Sequence, residues 1–298
     1  MLQAMHAASQ AHVTRRSSLL ADPPGYAYFV GSAVFHYLGP AFAVLLFALV
    51  PPVGVAWLRI ATDALLYAVW RRPWRTFAAA PAASKRTVIA MGAVLGVMNP
   101  VFYLAIHRLP LGTVAAIEFL PVIGLAAAGA RTPRNALALA AAVTGVYLLT
   151  EVRLAGDVAG FVFAFANAAL FSLYIVLAHR VSRDAALGGI DGLASAMLVA
   201  LIVVTPIGGW SVLGALADPA AIAAGFGVGV ASSVIPYVCD QLAMRKLARA
   251  TYALAVSLLP ATATVIGIVV LAQIPTPGEL LGVGLVVAAM AVHRGASA

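Results

Sequence analysis

Five ionisable side chains stand within long apolar stretches of the sequence, where a charged group is unusual. They are His36, Arg59, Asp63, Glu118 and Asp240. A charge in the middle of a membrane costs roughly 2.5–3.5 kcal/mol on insertion scales, so each group needs a partner, a proton or water. Such acids and bases can bind charged substrates or relay protons, and an intramembrane acid is a functional candidate by default.

Glu118 is the first candidate for a functional site. It lies in the stretch "AAIEFLP" (115–121), near the middle of an apolar span in which no cation is close enough to pair with it. Pro121 cannot donate a hydrogen bond to the carbonyl of Ile117, which predicts a kink beside the carboxylate. We expect Glu118 to bind a substrate ammonium or to carry a proton. The alternative is a neutral acid that is bonded to a neighbouring helix.

Arg59 and Asp63 lie four residues apart in "LRIATDALL" (58–66), which puts them on one helix face within contact range. This spacing favours a structural ion pair that neutralises itself. The order, with arginine before aspartate, is the less favourable one for such pairs. A role in substrate binding therefore stays open.

Four further polar residues fall in pairs at helical spacing. Asn99 and Tyr103 are four apart, and Asn167 and Tyr174 are seven apart, so each pair returns to one helix face. Single residues of these types more often form hydrogen bonds between membrane helices. Their joint occurrence predicts a polar cavity.

His36 and Asp240 each allow two interpretations. His36 is either a packing residue or a ligand or relay group. Asp240 shares a helix face with Tyr237, three residues before it, and basic residues follow in "MRK" (244–246). It is therefore either an interfacial ion pair or part of a gate or binding site.

The elements that must position these residues are membrane helices. Hydrophobic residues make up 63% of the 298-residue chain, charged residues make up 9%, and the mean hydropathy is +1.01. A soluble domain carries about 25% charged residues, so most of this surface must face lipid. The net charge of +8 does not indicate nucleic acid, because the basic residues form short clusters between apolar segments.

Several functional classes lack their motifs in this sequence. There is no Walker A lysine loop, so ATP does not drive the protein directly. With a single cysteine, Cys239, the chain cannot form a disulfide framework. The sequence also has no cluster of His or acidic residues at the spacing of metal ligands. An intramembrane enzyme would need a catalytic constellation, which is also missing. We expect no cofactor and no metal, and nothing in the sequence indicates an oligomeric state.

Apolar runs between polar, proline or glycine residues predict an all-α integral membrane protein with ten transmembrane helices. The approximate spans are 27–49, 53–70, 87–106, 110–129, 135–150, 158–178, 191–209, 219–244, 250–272 and 277–293. Residues 1–26 form a polar cytoplasmic tail. The weakest division is "HRLPLG" (107–112), where the third span turns directly into the fourth.

Basic residues set the orientation of the predicted spans. With the N-terminus inside, fifteen of the 18 Lys and Arg residues lie in inside segments, Arg108 and Arg153 lie outside, and Arg59 lies within a span. Trp70 at an inner boundary and Trp210 at an outer one suit interfacial anchors. This bias predicts that the N- and C-termini are both cytoplasmic.

An internal repeat divides the chain into two halves. "TVAAIEFLP" (113–121) and "TYALAVSLLP" (251–260) both end on a proline. The halves, 27–150 and 158–293, would each contain five helices. An odd number per half inverts the second copy relative to the first, as in many transporters that alternate access around a site at the membrane midplane.

Four stretches carry a resemblance to a known family. They are "VAWLRIATDALL" (55–66), "RPWR" (72–75), "GVMNPVFYLAIHRLPLGTVAAIEF" (96–119) and "SSVIPYVCDQLAMRKL" (232–247). With them the sequence resembles the EamA-type drug/metabolite transporters, in particular the bacterial threonine/homoserine exporters. The similarity extends through nearly the whole chain after residue 26.

The resemblance implies two inverted five-helix repeats around a central cavity, lined mainly by helices 1, 3, 4, 6, 8 and 9 of the ten. It also implies efflux of small amino acids or related metabolites across the inner membrane. Carried onto matching positions, it supports Asn99, Tyr103 and Glu118 as cavity candidates. It supports Asp240 as well, because relatives tend to carry an acid there.

The sequence departs from the family pattern at three places. Relatives often place Glu before the proline of the ninth helix, where this chain has Leu259. The lysine expected in the first helix is replaced by an apolar residue near Val44. Ala272 and Gln273 stand where a Gly-Glu pair is common. These lost charges bear on the substrate more than on the fold.

Together these features predict a secondary exporter of small zwitterionic metabolites such as threonine or homoserine, with a proton gradient as its driving force. Its partners would be the substrate, the lipid bilayer and protons. One alternative is efflux of larger apolar drugs or metabolites, which the lost charges favour. Another is a membrane structural protein without transport, whose helix bundle would be dry.

Overall fold

The computed structural model describes residues 24–121, 132–151, 157–187, 190–247 and 258–292. Within these ranges the regular structure is helical throughout. The α-helices in chain order are α1 Gly25–Leu46, α2 Pro52–Arg71, α3 Pro73–Ala79, α4 Ala82–Arg108, α5 Leu111–Glu118, α6 Pro133–Glu151, α7 Val158–Arg183, α8 Ile190–Gly208, α9 Pro219–Gly229, α10 Ile235–Lys246, α11 Leu259–Leu271 and α12 Pro277–Val292. Most of the predicted tail, and parts of the fourth and ninth predicted spans, lie outside the described residues.

Among the described residues, five helical segments are long and apolar enough to cross a membrane. They are α1, α2, α4, α7 and the segment Ile190–Val212, in which a 3-10 turn extends α8. Shorter apolar helical segments lie in α6, α11 and α12, and a further one, Pro219–Val234, begins with α9. The chain is therefore an all-α, multi-pass membrane protein.

Burial in the bundle is inverted relative to a soluble protein. Val69, Ile202 and Val269 are 76%, 72% and 74% exposed, respectively. In contrast, the carboxyl groups of Asp63 and Glu118 are buried. Lipid is the solvent that suits these exposed apolar faces, and the ionisable groups face the bundle interior, as membrane helices require.

Prolines mark many of the helix boundaries. A proline lacks an N–H and presets φ, which suits the first turn of a helix. Helices α2, α3, α6, α9 and α12 all begin on one. Pro110 separates the end of α4 at Arg108 from the start of α5 at Leu111. The division predicted at 107–112 is therefore present.

The structure differs from the prediction inside the span 219–244. Helix α9 ends at Gly229, a π-helical segment occupies Val230–Val234, and α10 begins at Ile235. Pro236 is the physical reason, because without an N–H it cannot bond the carbonyl of Ser232 four residues earlier. Such π-helical turns are frequent at functional sites. We call Val230–Val234 the π segment.

The interruption predicted next to Glu118 is present. Helix α5 ends at Glu118, and Phe119 forms a turn with φ −85° and ψ −10°. Leu258, which precedes Pro260 by two residues, adopts nearly the same conformation with φ −85° and ψ −7° at the start of α11. The two segments that match in sequence therefore share a backbone conformation at the same position relative to their prolines.

The helices pack in a regular set of pairs. Helix α4 lies against α7 and α8, and α2 lies against α8 and α9. Helix α1 contacts α10 and α11, α7 contacts α4 and α5, and α6 lies against α12. Glycines allow the close approaches: a Cβ on Gly92 would lie 2.5 Å from the carbonyl oxygen of Ala196, and one on Gly229 would lie 2.6 Å from Cβ of Thr62.

Alanine in place of Gly282 should destabilise the protein, because Gly282 is where α12 crosses α6. A Cβ on Gly282 would lie 2.7 Å from the carbonyl oxygen of Gly145, and the reverse distance is also 2.7 Å. Neither backbone can move away without separating the two helices, and overpacking of this kind costs about 1–3 kcal/mol. Thermal unfolding of the purified protein measures the effect.

Gly284→Ala is the matched control for this position. Gly284 lies in the same helix, and a Cβ added there meets nothing within 4 Å. Alanine has the better helix propensity, so the melting temperature of this variant should stay the same or rise. Equal melting temperatures for Gly282→Ala and Gly284→Ala would contradict the predicted contact.

Glycine in place of Ala272 should stabilise the end of α11. Ala272 adopts the left-handed region, with φ 51° and ψ 30°, where a Cβ costs roughly 1–2 kcal/mol. Glycine removes this cost but loses about 0.5–1 kcal/mol in chain entropy, which leaves a gain of about 0.5–1 kcal/mol. The melting temperature should rise for Ala272→Gly and fall for Ala288→Gly, at an exposed position inside α12. A fall for both variants would show that Ala272 is not strained.

In the described part of the chain, two ion pairs join residues of the first predicted half to residues that follow position 156. Arg71 Nε lies 2.6 Å from Asp191 Oδ1, and Arg108 Nη1 lies 3.2 Å from Asp157 Oδ2. Asp157 also caps α7 by accepting a hydrogen bond from the amide of Gly160. That amide, together with the Arg108 guanidinium, holds the pKa of Asp157 below its ordinary value.

Candidate functional site

A cavity of about 270 Å³ lies between α1, α2, α4, α5, α7, α8, α10 and the π segment. A water molecule occupies about 30 Å³ in the liquid, so the cavity has room for about nine waters or for one small metabolite. Part of its wall is apolar, from Met98, Phe102, Phe171 and Met197. A dry bundle, which the structural-protein alternative requires, does not fit this arrangement.

The cavity collects predicted site residues from four helices. His36 comes from α1, Asn99 from α4, Glu118 from α5, and Asn167 and Tyr174 from α7. All five lie on its wall. Helical spacing predicted a shared face for Asn167 and Tyr174, and helix packing turns this face and the residues of the other three helices toward a common space.

Glu118 is the acid that the described residues place on the cavity wall. Its side chain is buried, and its Oε1 accepts a hydrogen bond from Nδ2 of Asn167 at 3.2 Å. The bond joins α5 to α7, so Glu118 has the partner on a neighbouring helix that the alternative interpretation predicted. It does not remove Glu118 from the cavity, so the group can still meet a ligand.

Asn99, Tyr174 and His36 occupy different surroundings on the wall. Asn99 donates a hydrogen bond from Nδ2 to the carbonyl of Leu95 in its own helix, at 3.0 Å. The ring of Tyr174 stacks on Phe171, with 6.1 Å between the ring centroids. His36 makes an edge contact with the ring of Tyr37, with 5.2 Å between the centroids.

Tyr103 differs from the prediction that it lines the cavity. Its side chain is buried behind the wall and packs on Phe102, with ring centroids 5.7 Å apart, and on Phe47, 6.0 Å away. The guanidinium carbon of Arg59 lies 6.0 Å from the centre of its ring. The four-residue spacing puts Asn99 and Tyr103 on one face of α4, but the ring of Tyr103 packs on Phe47, directly after the end of α1, and does not line the cavity.

Arg59 and Asp63 do not form the direct ion pair that their spacing favours. No nitrogen of Arg59 comes within 4.0 Å of an oxygen of Asp63 in the structure. Instead Ser233 of the π segment lies between them: Arg59 Nε donates to Ser233 Oγ at 3.3 Å, and Ser233 Oγ donates to Asp63 Oδ2 at 2.6 Å. A partner from another helix replaces the local contact, and Arg59 lies on the cavity wall.

Asp240 and Tyr237 lie in α10, but the structure describes only their backbone and not their side chains. Their predicted roles stay predictions. Pro236, directly before Tyr237, does lie on the cavity wall.

Five buried polar atoms in the described part of the chain have no hydrogen-bond partner. They are Tyr37 Oη, Asp63 Oδ1, Tyr103 Oη, Asn167 Oδ1 and Ser232 Oγ. Three of these residues, Tyr37, Asn167 and Ser232, line the cavity. Asp63 and Tyr103 lie behind the wall, next to Arg59, which does line the cavity. Buried polar groups are usually satisfied. The concentration of unsatisfied ones at this cavity therefore points to a polar ligand or water inside it.

Sequence reasoning missed the serines at this site. Ser232 and Ser233 both line the cavity, and both contact Arg59. The signal that could have found them is Pro236, which frees the carbonyl of Ser232 inside an apolar span.

The arrangement suits binding rather than covalent chemistry. Within the part of the chain that the structure describes, the cavity wall carries one carboxyl group, one guanidinium and several hydroxyl and amide groups on a partly apolar surface. Among the described residues no group of three or more His, Cys, Asp or Glu side chains is placed to hold a metal ion. A small ligand that carries both charges would match the polar groups.

Comparisons with known proteins agree with this picture. No family model matches the chain. The chain is 31% identical over 254 residues to the threonine/homoserine exporter RhtA of Escherichia coli (strain K12), covering 84% of this chain and 84% of the relative. It is 30% identical, with the same coverage, to the threonine/homoserine exporter RhtA of Salmonella typhimurium (strain LT2).

Proposed function

Because the chain belongs to the threonine/homoserine exporters of the EamA-type drug/metabolite transporters, we propose that it exports small amino acids from the bacterial cell. Threonine and homoserine are the first substrates to test. The protein resides in the inner membrane and moves its substrate across it. Its relatives are named as exporters, which supports a transporter.

One observation carries the proposal: a buried carboxyl group, Glu118, on the wall of a cavity between membrane helices. The cavity suits a molecule of about eight non-hydrogen atoms, which is the size of threonine or homoserine. Glu118 receives the substrate ammonium, and Asn167 orients the carboxylate of Glu118 through its hydrogen bond. Asn99 supplies a further polar group on the same wall.

The topology that we propose is the ten-helix one, with both termini in the cytoplasm and two inverted repeats at 27–150 and 158–293. The helix pairs support it, because a shift by five predicted spans converts the contacts of α1 with α10 and α11 into those of α7 with α4 and α5. It likewise converts the contact of α2 with α9 into that of α8 with α4. The equivalent turns at Phe119 and Leu258 agree with the same repeat.

Alternating access around the cavity then moves the substrate, and a proton gradient drives it. Glu118 is the group that exchanges a proton for the substrate ammonium. An acid in the membrane interior suits this exchange, since it must always have a partner or a proton. The proton would enter from outside as the amino acid leaves.

Purified protein in liposomes tests this function. Vesicles loaded with radiolabelled threonine should release it faster than protein-free vesicles, and an inward proton gradient should accelerate the release. Release of lipophilic cations but not of threonine would instead support efflux of larger apolar compounds, which the apolar part of the wall favours. Release of neither would overturn the proposal of transport.

A further inference from the structure

We propose that Arg59 binds the carboxylate of the exported amino acid and that Asp63 positions it through Ser233. The inference deepens the proposed function and rests on it. It assigns the two charges of a zwitterionic substrate to two walls of one cavity. The ammonium meets Glu118, and the carboxylate meets Arg59.

Arg59 has the geometry of an anion-binding group. It lies on the cavity wall, and it donates hydrogen bonds to two neutral acceptors, Ser233 Oγ at 3.3 Å and the carbonyl of Ser232 at 3.4 Å. Both are longer than the 2.7–2.9 Å that is typical of an arginine bound to a carboxylate. A guanidinium has five N–H donors. Arg59 therefore keeps donors that suit the planar carboxylate of a ligand.

Asp63 does not neutralise Arg59 by direct contact. Its Oδ2 accepts the proton of the Ser233 hydroxyl at 2.6 Å, while its Oδ1 is buried without a partner. Because that hydroxyl donates its single proton to Asp63, its lone pairs face Arg59 Nε. The bridge thus fixes the direction of the hydrogen bonds and holds the guanidinium in place without closing it off.

The backbone of the π segment holds the other side of Arg59. Pro236 cannot donate to the carbonyl of Ser232, so this oxygen is available and accepts from Arg59 Nη2. Ser232 Oγ lines the cavity beside it and has no partner among the described residues. It can donate to the second oxygen of a bound carboxylate.

The two charged walls define the class of substrate. Glu118 belongs to α5 and is bonded to α7, whereas Arg59 belongs to α2 and is bonded to the π segment. A molecule with an ammonium and a carboxylate satisfies both groups at once. An amine without a carboxylate leaves Arg59 unpaired, and leaving a buried charged group unsatisfied is costly. We therefore expect selectivity for free amino acids over their amides.

Competition against labelled threonine tests the inference with purified protein in lipid nanodiscs. Threonine amide should compete roughly 10- to 100-fold less well than threonine, which corresponds to one charge-assisted hydrogen-bonded contact. In Arg59→Gln this ratio should fall to about one, because threonine loses its partner and the amide does not. Arg59→Lys should keep part of the ratio. Arg108→Gln, an exposed arginine in the ion pair with Asp157, is the matched control and should keep all of it.

Ser233 provides a second test that does not depend on removing a charge. Ser233→Ala should lower the ratio, since it removes the bridge, and Ser233→Thr should restore it, since threonine keeps the hydroxyl. A wild-type protein that binds threonine and its amide equally well would overturn the inference but leave the proposed function standing. So would an Arg59→Gln protein that retains the wild-type ratio. A wild-type protein that binds neither compound would overturn both.

Discussion

Transport of threonine by the purified protein should fall roughly 10- to 100-fold when Glu118 is replaced by glutamine. The substitution removes a charge from the cavity wall and leaves the substrate ammonium with a neutral partner. A hydrogen bond to a charged group contributes about 1.5–3 kcal/mol, and loss of most of this contribution corresponds to the expected range. The glutamine oxygen can still accept from Asn167 Nδ2, so the contact between α5 and α7 survives.

The pH dependence of transport gives the same variant a second readout. Release by the wild-type protein should vary with an imposed proton gradient, while release by Glu118→Gln should not. His36, Tyr37 and Arg59 face the same cavity, so each needs to be separated from Glu118. His36→Gln should keep the response to the gradient. An unchanged rate and unchanged pH dependence in Glu118→Gln would show that the assigned role is wrong.

Glu279→Gln is the matched control for this experiment. Glu279 is also a buried acid, but it lies at the start of α12, where its Oε2 accepts from the amide of Thr276 at 2.8 Å. It is not on the wall of the cavity. We expect the control to lower the melting temperature and to leave the transport rate per folded molecule unchanged. A loss of transport equal to that of Glu118→Gln would indicate a general effect of removing buried acids.

Alanine in place of Gly39 should destabilise the protein and inactivate it together. A Cβ on Gly39 of α1 would lie 2.7 Å from the amide nitrogen and 2.8 Å from Cα of Ser232. These are backbone atoms, so relief requires the π segment to move, and overpacking costs about 1–3 kcal/mol. The same segment carries Ser233, so its displacement also moves the groups that hold Arg59.

Thermal unfolding and threonine release, measured on the same preparation, check this prediction. The melting temperature should fall, and the release per folded molecule should fall at least about tenfold. Gly227→Ala in α9 is the control, because a Cβ there meets nothing within 4 Å. It should raise stability by about 0.5–1 kcal/mol and leave release unchanged. Wild-type release by folded Gly39→Ala would contradict the role of the π segment.

Local features allowed the sequence to predict much of the fold. The membrane class follows from composition, and several helix ends follow from prolines, as at Pro110. The break after Glu118 was also predictable from Pro121. The π segment was not predictable, because a proline near the middle of a long apolar run is compatible with a kink, a break or a wider turn. Packing against α1 and α2 accompanies the turn that this chain adopts.

The candidate site was predictable residue by residue but not contact by contact. Spacing within a helix indicated which side chains share a face, and the structure brings Asn99, Glu118 and Asn167 to one cavity. The same rule favoured a direct pair between Arg59 and Asp63, which the structure replaces with a serine bridge. Helical spacing describes neighbours in one helix, and it contains no information about a third group that comes between them.

Composition and local patterns identify this chain as a helical membrane protein, and they indicate where many of its helices end and which few polar groups must find partners inside. Hydropathy and the effects of proline act over a few neighbouring residues, so they can be predicted from the sequence alone. The partners of these polar groups depend on how the helices pack. Glu118 meets a residue 49 positions away and Arg59 one 174 positions away, because the energy of a buried charge depends on which helices pack around it.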